Sequence, residues 1–382
     1  MIKGGPTAID LFCGAGGLSG GFRQAGFRIL AGNDLDEFSG QTFTATHDDA
    51  IFLSGPIEDI AASDLQRAAG LRRGELDCLV GGPPCQAFSV YNHQRGLHDQ
   101  RSGLFQEYLR IVKGLLPKWV VTENVTGITS VGNGKAVQDI FTGLGELGYH
   151  VDSKILRAEE FGVPQERRRI FFVGNRLGLP IPWPQPTHGP SLLPIVTVAD
   201  AISDLPPLRN GEDLGPQPYA KEPQSEYQAL LRSDATIVYN HAAPRLAKIN
   251  LERMRHVPQG GSWRDIPFEL LPAGMKRARR CDHTKRYGRL SPEGLACTIL
   301  TKCDLHWGAY IHPDQDRILS VREAARLQSF PDWFIFAGPR TEQYVQVGNA
   351  VPPALARKIA ESVKEHLLNG IAQDSGGLRA CG

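Results

Sequence analysis

One cysteine stands out by its setting. In Gly81-Gly82-Pro83-Pro84-Cys85-Gln86, two glycines and two prolines lead directly into Cys85. Proline fixes its own φ, so the backbone before the thiol is stiff. A thiol that only fills a core needs no such turn, whereas one held towards a reactant does. Once ionised it is a good nucleophile, and nearby N–H groups or cations lower its pKa. Most free cysteines are small buried apolar residues, and Cys13 and Cys78 read that way.

Three further groups could share chemistry with it. Glu123, in Glu123-Asn124-Val125, closes a run of apolar residues and could supply a proton. Gln165-Glu166-Arg167-Arg168-Arg169 precedes another such run. In extended chain Gln165, Arg167 and Arg169 share a face, and arginines there could hold a phosphate or polarise a carbonyl. Taken singly, Glu123 reads as a solvated carboxylate and the arginines as a surface basic run. The third group is the turn Asp10-Leu11-Phe12-Cys13-Gly14-Ala15-Gly16-Gly17. Its glycines let a ligand approach the backbone, and the helix start offers N–H groups. Ser19 stands where a dinucleotide G-x-G-x-x-G needs glycine, so that fingerprint fails by one position. Phe12 could stack on an adenine, and Asp34 could accept from a ribose diol.

These residues need a scaffold that brings strand ends together. The first half of the chain alternates apolar runs with helix-like stretches, the pattern of a parallel α/β sheet. Strands are expected over residues 7–12, 28–34, 77–80, 118–121 and 169–174. Helices are expected over the turn after Gly17 to Ala25 and over residues 37–47, with Asp36 as N-cap. In such sheets ligands sit beyond the carboxyl ends of the strands, where Phe12, Asp34, Cys85 and Glu123 fall. From about residue 175 to 292 the chain is interrupted by proline and glycine and reads as a separate loop-rich domain. A helix returns at 320–329 with Ser320 and Glu323 as a capping box, and another runs over 353–368. The expected partition is a catalytic domain over 1–180 completed by a helix at 345–370, a second domain over 181–344, and a disordered tail over 371–382.

Composition narrows the class. The 382 residues are 41% hydrophobic and 22% charged, ordinary for a globular chain. Apolar runs are too short to cross a bilayer, and neither a membrane association nor a secretory signal is expected. Seven cysteines, mostly in apolar or Gly-rich runs, do not form a disulfide framework; a cytoplasmic protein is expected. Cys281, His283, Cys297, Cys303 and His306 match no common zinc spacing, and no metal is expected. The net charge of +1 gives no global sign of nucleic-acid binding. Between Arg245 and Arg289, however, basic residues outnumber acidic ones about threefold, as a phosphate-contacting face would.

Taken in order, the segments DLFCGAGG, GGPPCQAFS, ENV, QERRR, RLSPEG, REAARLQSFPDWF and QVGNAVPPALA resemble the cytosine-C5 DNA methyltransferase family. The resemblance spans Ala8 to about Ile359. It implies an α/β fold, with a Rossmann-like sheet domain dependent on S-adenosylmethionine (SAM) and a smaller, loop-rich target recognition domain. SAM would lie against Asp10, Leu11, Phe12, Gly14, Gly16, Gly17 and Asp34, with Ile57 at the adenine, Leu104 at the methionine end and Asn349 returning to the pocket. Cys85 would add to cytosine C6, Glu123 would hydrogen-bond N3, and Arg167 would contact the base carbonyl and help hold Cys85 and Glu123, with Arg169 beside it. The substrate would be double-stranded DNA with its target base flipped. Residues 86–103 would form a lid. DNA contacts would come from Gln86, Ser89, Arg101 and Gln165, and from Lys276, Arg277, Arg279, Arg280, Lys285 and Arg286. With no flanking domain, a bacterial or phage monomer is expected, solitary or paired with a restriction endonuclease. The rivals are a tRNA-acting branch of this family and a non-catalytic DNA-binding relative.

Overall fold

A computed structural model describes residues 4–84 and 103–377, with side chains to residue 369. The chain divides into two compact units. The first comprises Met1–Arg157, Arg168–Pro186 and Val351–Gly382, and the second Ala158–Arg167 and Thr187–Ala350.

Seven strands build the first unit: β1 (Thr7–Leu11), β2 (Arg28–Asp34), β3 (Ile51–Ser54), β4 (Cys78–Gly81), β5 (Trp119–Val125), β6 (His150–Arg157) and β7 (Arg168–Asn175). They form one sheet in the order β3-β2-β1-β4-β5-β7-β6. Strands β1 to β5 pair in parallel. β7 instead runs antiparallel to both β5 and β6, so the otherwise parallel sheet is mixed at that edge. Parallel neighbours need a crossover of a dozen or more residues; only residues 158–167 separate β6 from β7, so the chain reverses.

The crossovers are α1 (Gly17–Gln24), α2 (Glu37–Thr46), α3 (Ala62–Ala69), α4 (Gly103–Leu115) and α5 (Lys135–Glu146). Asp36 caps α2, its carboxylate accepting from Ser39 N at 2.6 Å. β1 and β4 are buried almost throughout, which is why they read as unbroken apolar runs. Leu11, Leu79, Val120, Tyr108, Ile111 and Phe172 belong to the core they share with α4 and α5. Edge strand β6 alternates with largely exposed positions and carries no such run.

The second unit has little regular structure. Its helices are α6 (Val198–Ile202), α7 (Glu226–Arg232), α8 (Lys248–Arg255), α9 (Val321–Leu327) and α10 (Arg340–Asn349). Two strand pairs accompany them, β8 (Gln217–Pro218) with β9 (Ile237–Val238) and β10 (Gly288–Arg289) with β11 (Ala309–Ile311). Polar side chains organise this unit from within. Ser320 and Glu323 cap α9 reciprocally, at 2.7 and 3.1 Å. Arg326, on the same helix, is fully buried between the carboxylates of Asp204 and Asp332.

The last helix, α11 (Pro353–Gly377), returns to the first unit and continues past Gly370, where a disordered tail was expected. It packs on α1: a Cβ added at Gly21 would sit 2.4 Å from the Ala356 Cβ. Lys364 Nζ donates to the Ala25 carbonyl at 2.9 Å, a cation at the C-terminal end of α1.

Candidate active site

The β1–α1 turn is held open by a carboxylate from the next strand. Asp34, at the end of β2, accepts from Gly14 N at 2.8 Å and from Asp36 N at 2.9 Å. Burial raises its carboxyl above the ordinary value, although those N–H groups pull the other way. Phe12 adopts a left-handed φ of 56°, and Gly14 one of 52°. A Cβ at Gly14 would meet nothing within 4 Å, so the turn borders open space. Gly16 is tighter, its Cβ position 2.7 Å from the buried His47 ring, and Gly17 begins α1.

Asp10 and Leu11 lie beneath this turn and not on its surface, at 1% and 0% exposure. One Asp10 oxygen accepts from Ser19 Oγ, and the other has no partner among the described residues. Burial pushes Asp10 up to about 7, despite the Ser19 bond. The side chains of Asp10 and Leu11 therefore support the turn. Ile57 is likewise buried in the sheet core, and Leu104, on α4, packs partly exposed against that core.

The second focus is the end of β5. Arg169, on β7, pairs with Glu123, Nε to Oε1 at 2.8 Å, and both side chains are largely buried. Burial lowers the Arg169 pKa and Glu123 restores part of the loss. The β5–β7 register sets Arg169 opposite Val125 and Glu123 opposite Phe171, so the pair is diagonal. The turn after β4 comes to the same place: a Cβ at Gly82 would lie 3.5 Å from Glu123 Oε2. Next to it, Asn124 Nδ2 donates to the Pro83 carbonyl at 3.3 Å. Cys85, with Gln86, Ser89 and Arg101, lies outside the described residues.

Gln165 does not have the surroundings expected of it. Gln165, placed among the DNA contacts, is fully buried. Its Nε2 donates to the Leu327 carbonyl at 3.0 Å and to Gln328 Oε1 at 2.5 Å, while its Oε1 accepts from Ile299 N at 3.0 Å. Arg167 donates to the carbonyls of Ile299, Gly348 and Ala350 at 3.1, 3.1 and 2.8 Å. Both tie the 158–167 segment into the second unit, and the pair with Glu123 is made by Arg169. The alternation of the segment is as expected, with residues 165 and 167 buried and 166 and 168 exposed. Asn349 is exposed at the end of α10, in the second unit.

In the basic stretch of the second unit, Lys276, Arg277, Arg279, Arg280 and Lys285 are exposed and Arg286 is half-buried. Arg279 pairs with Asp282 at 3.1 Å, and Lys285 with Glu166 at 3.6 Å.

Comparison with known proteins decides the family. A family model described as C-5 cytosine-specific DNA methylase matches residues 7–365. The chain belongs to this family. Type II methyltransferase M.AgeI of Thalassovita gelatinovora is 35% identical, over 93% of this chain and 98% of that relative. Type II methyltransferase M1.HphI of Haemophilus parahaemolyticus is 36% identical, over 94% and 86%. A crystal structure described as a DNA modification methyltransferase encoded within an E. coli prophage superposes with a TM-score of 0.77 at 25% identity, over 95% of this chain and 99% of that one.

As a C-5 cytosine-specific DNA methylase, the protein is a SAM-dependent DNA cytosine-5 methyltransferase. The first unit fits that cofactor. Open space at Gly14 adjoins the Asp34 carboxylate, and the partly exposed Phe12 ring offers an apolar face. Leu35, next after Asp34, is 70% exposed, an apolar surface that the sequence reading passed over. Its signal was a lone leucine between two aspartates at a strand end. Asn124 was also missed as the group that fastens the Pro83 carbonyl. Among the described residues, no helix is long and apolar enough to cross a membrane.

Proposed function

We propose that this methyltransferase works on a flipped cytosine through a covalent bond between Cys85 and C6. The observation that carries the reading is the Arg169–Glu123 pair set against Gly82 and Pro83. Cys85 follows Pro83 by two residues, so the chain carrying the thiol starts beside the carboxyl group.

Cytosine C5 is a poor nucleophile until C6 is attacked. As the Cys85 thiolate forms its bond to C6, the C5=C6 electron pair shifts into C4–C5 and the C4=N3 pair onto N3. A proton from Glu123 meets N3, leaving C5 as the nucleophilic carbon of an enamine. Arg169 holds Glu123 in place, while Arg167 would contact the base carbonyl and help hold Cys85 and Glu123. SAM supplies an electrophilic methyl group on a sulfonium. Once C5 carries it and the donor sulfur is left as a neutral thioether, a base removes the C5 proton. The C5=C6 bond reforms, Cys85 leaves as thiolate and the N3 proton returns to Glu123. Attack from above the ring requires the base to be out of the stack.

Phe12, Gly14, Gly16 and Asp34 would hold the cofactor, with Leu35 as a further apolar face and Gly17 at the helix start. Asp10 and Leu11 would act from below. Ile57 would contact the adenine and Leu104 the methionine end, and Asn349 would return to the pocket. Residues 86–103 would cover the base, with Gln86, Ser89 and Arg101 reaching DNA. The domain over 181–344 would recognise the duplex through Lys276, Arg277, Arg279, Arg280, Lys285 and Arg286. We further read the enzyme as a cytoplasmic monomer, either solitary or paired with a restriction endonuclease.

Labelled SAM, supplied with duplex DNA or tRNA to wild type and Cys85→Ala, tests the reading. Label should enter duplex DNA with the wild type alone. Label confined to tRNA, or transferred by Cys85→Ala, would overturn it.

A further inference from the structure

The basic stretch of the second unit is not uniform, and the difference between its members assigns them different work. Lys276 Nζ donates to the Glu269 carbonyl at 3.2 Å, and Arg280 Nη2 to the Arg264 carbonyl at 3.1 Å. Arg279 and Lys285 are held by Asp282 and Glu166. Arg289 is buried among carbonyls and Asp316. Within residues 276–286 that leaves Arg277 and Arg286, whose guanidinium groups have no hydrogen bond or ion pair among the described residues. Both line the same concavity, of about 400 Å³, with Met275, Asp282, His283 and His306.

The two differ in how they are mounted. Arg277 is exposed, while Arg286 is half-buried. The Arg286 backbone is fixed on both sides: its N–H donates to the His283 carbonyl at 3.0 Å, and its carbonyl accepts from Trp263 N at 3.0 Å. Its neighbour Tyr287 is fully buried, stands edge-on to His306 at 5.2 Å and shares a hydrogen bond with it at 2.9 Å. His283 and Tyr287 both have left-handed φ, 51° and 50°, so the turn carrying Arg286 is tightly bent. The one carboxylate in the concavity, Asp282, is already bonded to Arg279.

An unpaired planar fork carried on a fixed backbone in a concavity suits a partner that presents two acceptors side by side. Guanine presents O6 and N7 in that arrangement at the major-groove edge. An exposed guanidinium at the same concavity suits a phosphate, which carries no sequence information. Resting on the reading of 181–344 as the recognition domain, we propose that Arg286 reads a guanine of the target sequence, with Arg277 gripping the adjacent backbone phosphate.

The test is bisulfite sequencing of a randomised duplex library methylated by wild type, Arg286→Ala, Arg286→Lys and Arg277→Ala, with thermal melts as the fold control. Arg286→Ala and Arg286→Lys should lose discrimination at one guanine by roughly 5- to 150-fold and keep it at other positions. Arg277→Ala should slow every sequence alike and lower the salt slope by about one. Wild-type enzyme on duplexes carrying 7-deazaguanine, which lacks the N7 acceptor, should show the same single-position loss and needs no variant to fold. If preferences survive both Arg286 variants and every 7-deazaguanine substitution while Arg277→Ala still lowers the salt slope, the domain binds DNA but the proposal for Arg286 is wrong. If no variant alters preference or salt slope, the recognition-domain reading itself fails.

Discussion

Arg169 reaches diagonally across the β5–β7 pair to Glu123, Nε to Oε1 at 2.8 Å. This contact exists because β7 runs antiparallel and enters the sheet beside β5, so the start of one strand lies next to the end of the other. It joins the one carboxylate at the end of β5 to a cation that stays charged at any working pH. Arg167, two residues earlier, binds carbonyls in the second unit.

Replacing Glu123 by Gln should separate chemistry from folding. The amide keeps the shape and can still accept from Arg169, but has no acidic proton for N3. Single-turnover methylation should slow by about 10²- to 10⁴-fold, as for loss of a general acid, with the melting temperature nearly unchanged. A methylation rate within a few-fold of wild type would count against the assignment of Glu123.

Arg169→Ala should act on both. It strands the Glu123 carboxylate, whose side chain is only 12% exposed, and removal of one partner from a buried pair costs about 3–5 kcal/mol. Urea unfolding would register that loss together with a fall in methylation. Unchanged stability would show that water replaces the guanidinium at no cost.

The strand-end residues were legible because each apolar run before them has a clear length and ends in a polar or Gly-rich turn. β2 has its expected bounds, and the Asp36 and Ser320 caps are formed as their side-chain chemistry requires. β6 was not legible, because an edge strand with largely exposed positions has no apolar run. The direction of β7 was hidden for a different reason. Apolar pattern records burial and not polarity, so RIFFVG looks the same in either direction. The inward turn of Gln165 was hidden too, since its partners Leu327 and Gln328 lie more than 160 residues away in the chain.

Cofactor affinity should depend on Asp34 in two ways. Its carboxylate anchors Gly14 N and Asp36 N, and it is the acceptor available for a ribose diol. Asp34→Ala should weaken SAM binding roughly 10- to 100-fold, the range for loss of hydrogen bonds to a charged group. Calorimetric titration with SAM would measure it; an affinity within twofold of wild type would remove Asp34 from the pocket.

Asp10 should make stability depend on pH in an unusual direction. Its carboxyl is raised from 3.8 to about 7 by burial, so the folded state holds the proton more tightly than the unfolded state. The stability this contributes is complete below 3.8 and fades as pH rises through about 7. Asp10→Asn cannot titrate, so it should gain on the wild type across that window by a few kcal/mol at most. Denaturant melts of both proteins at pH 4 and pH 8 would show the gap widen upward; a constant gap would contradict it.

The opposite sign is expected around Arg326. Burial alone would raise Asp332, but hydrogen bonds from Arg326 and the charges of Arg322 and Arg326 outweigh it and hold the carboxyl below 3.8. That contribution is present above 3.8 and lost as pH falls below it. Arg326→Met leaves Asp204 and Asp332 buried without their shared cation, and should destabilise the protein by about 3–5 kcal/mol or more. An Arg326→Met protein as stable in urea as wild type would show the network is dispensable.

The claim on which the account turns is the bond between Cys85 and C6, and a duplex with 5-fluorocytosine at the target position tests it directly. Fluorine at C5 cannot leave as the proton does, so the ring cannot regain its double bond and the enzyme should stay attached. Peptide mass spectrometry should find the methylated, fluorinated base on the peptide containing Cys85, and no adduct with Cys85→Ala. An adduct on another residue, or methyl transfer to cytosine by Cys85→Ala, would contradict the mechanism.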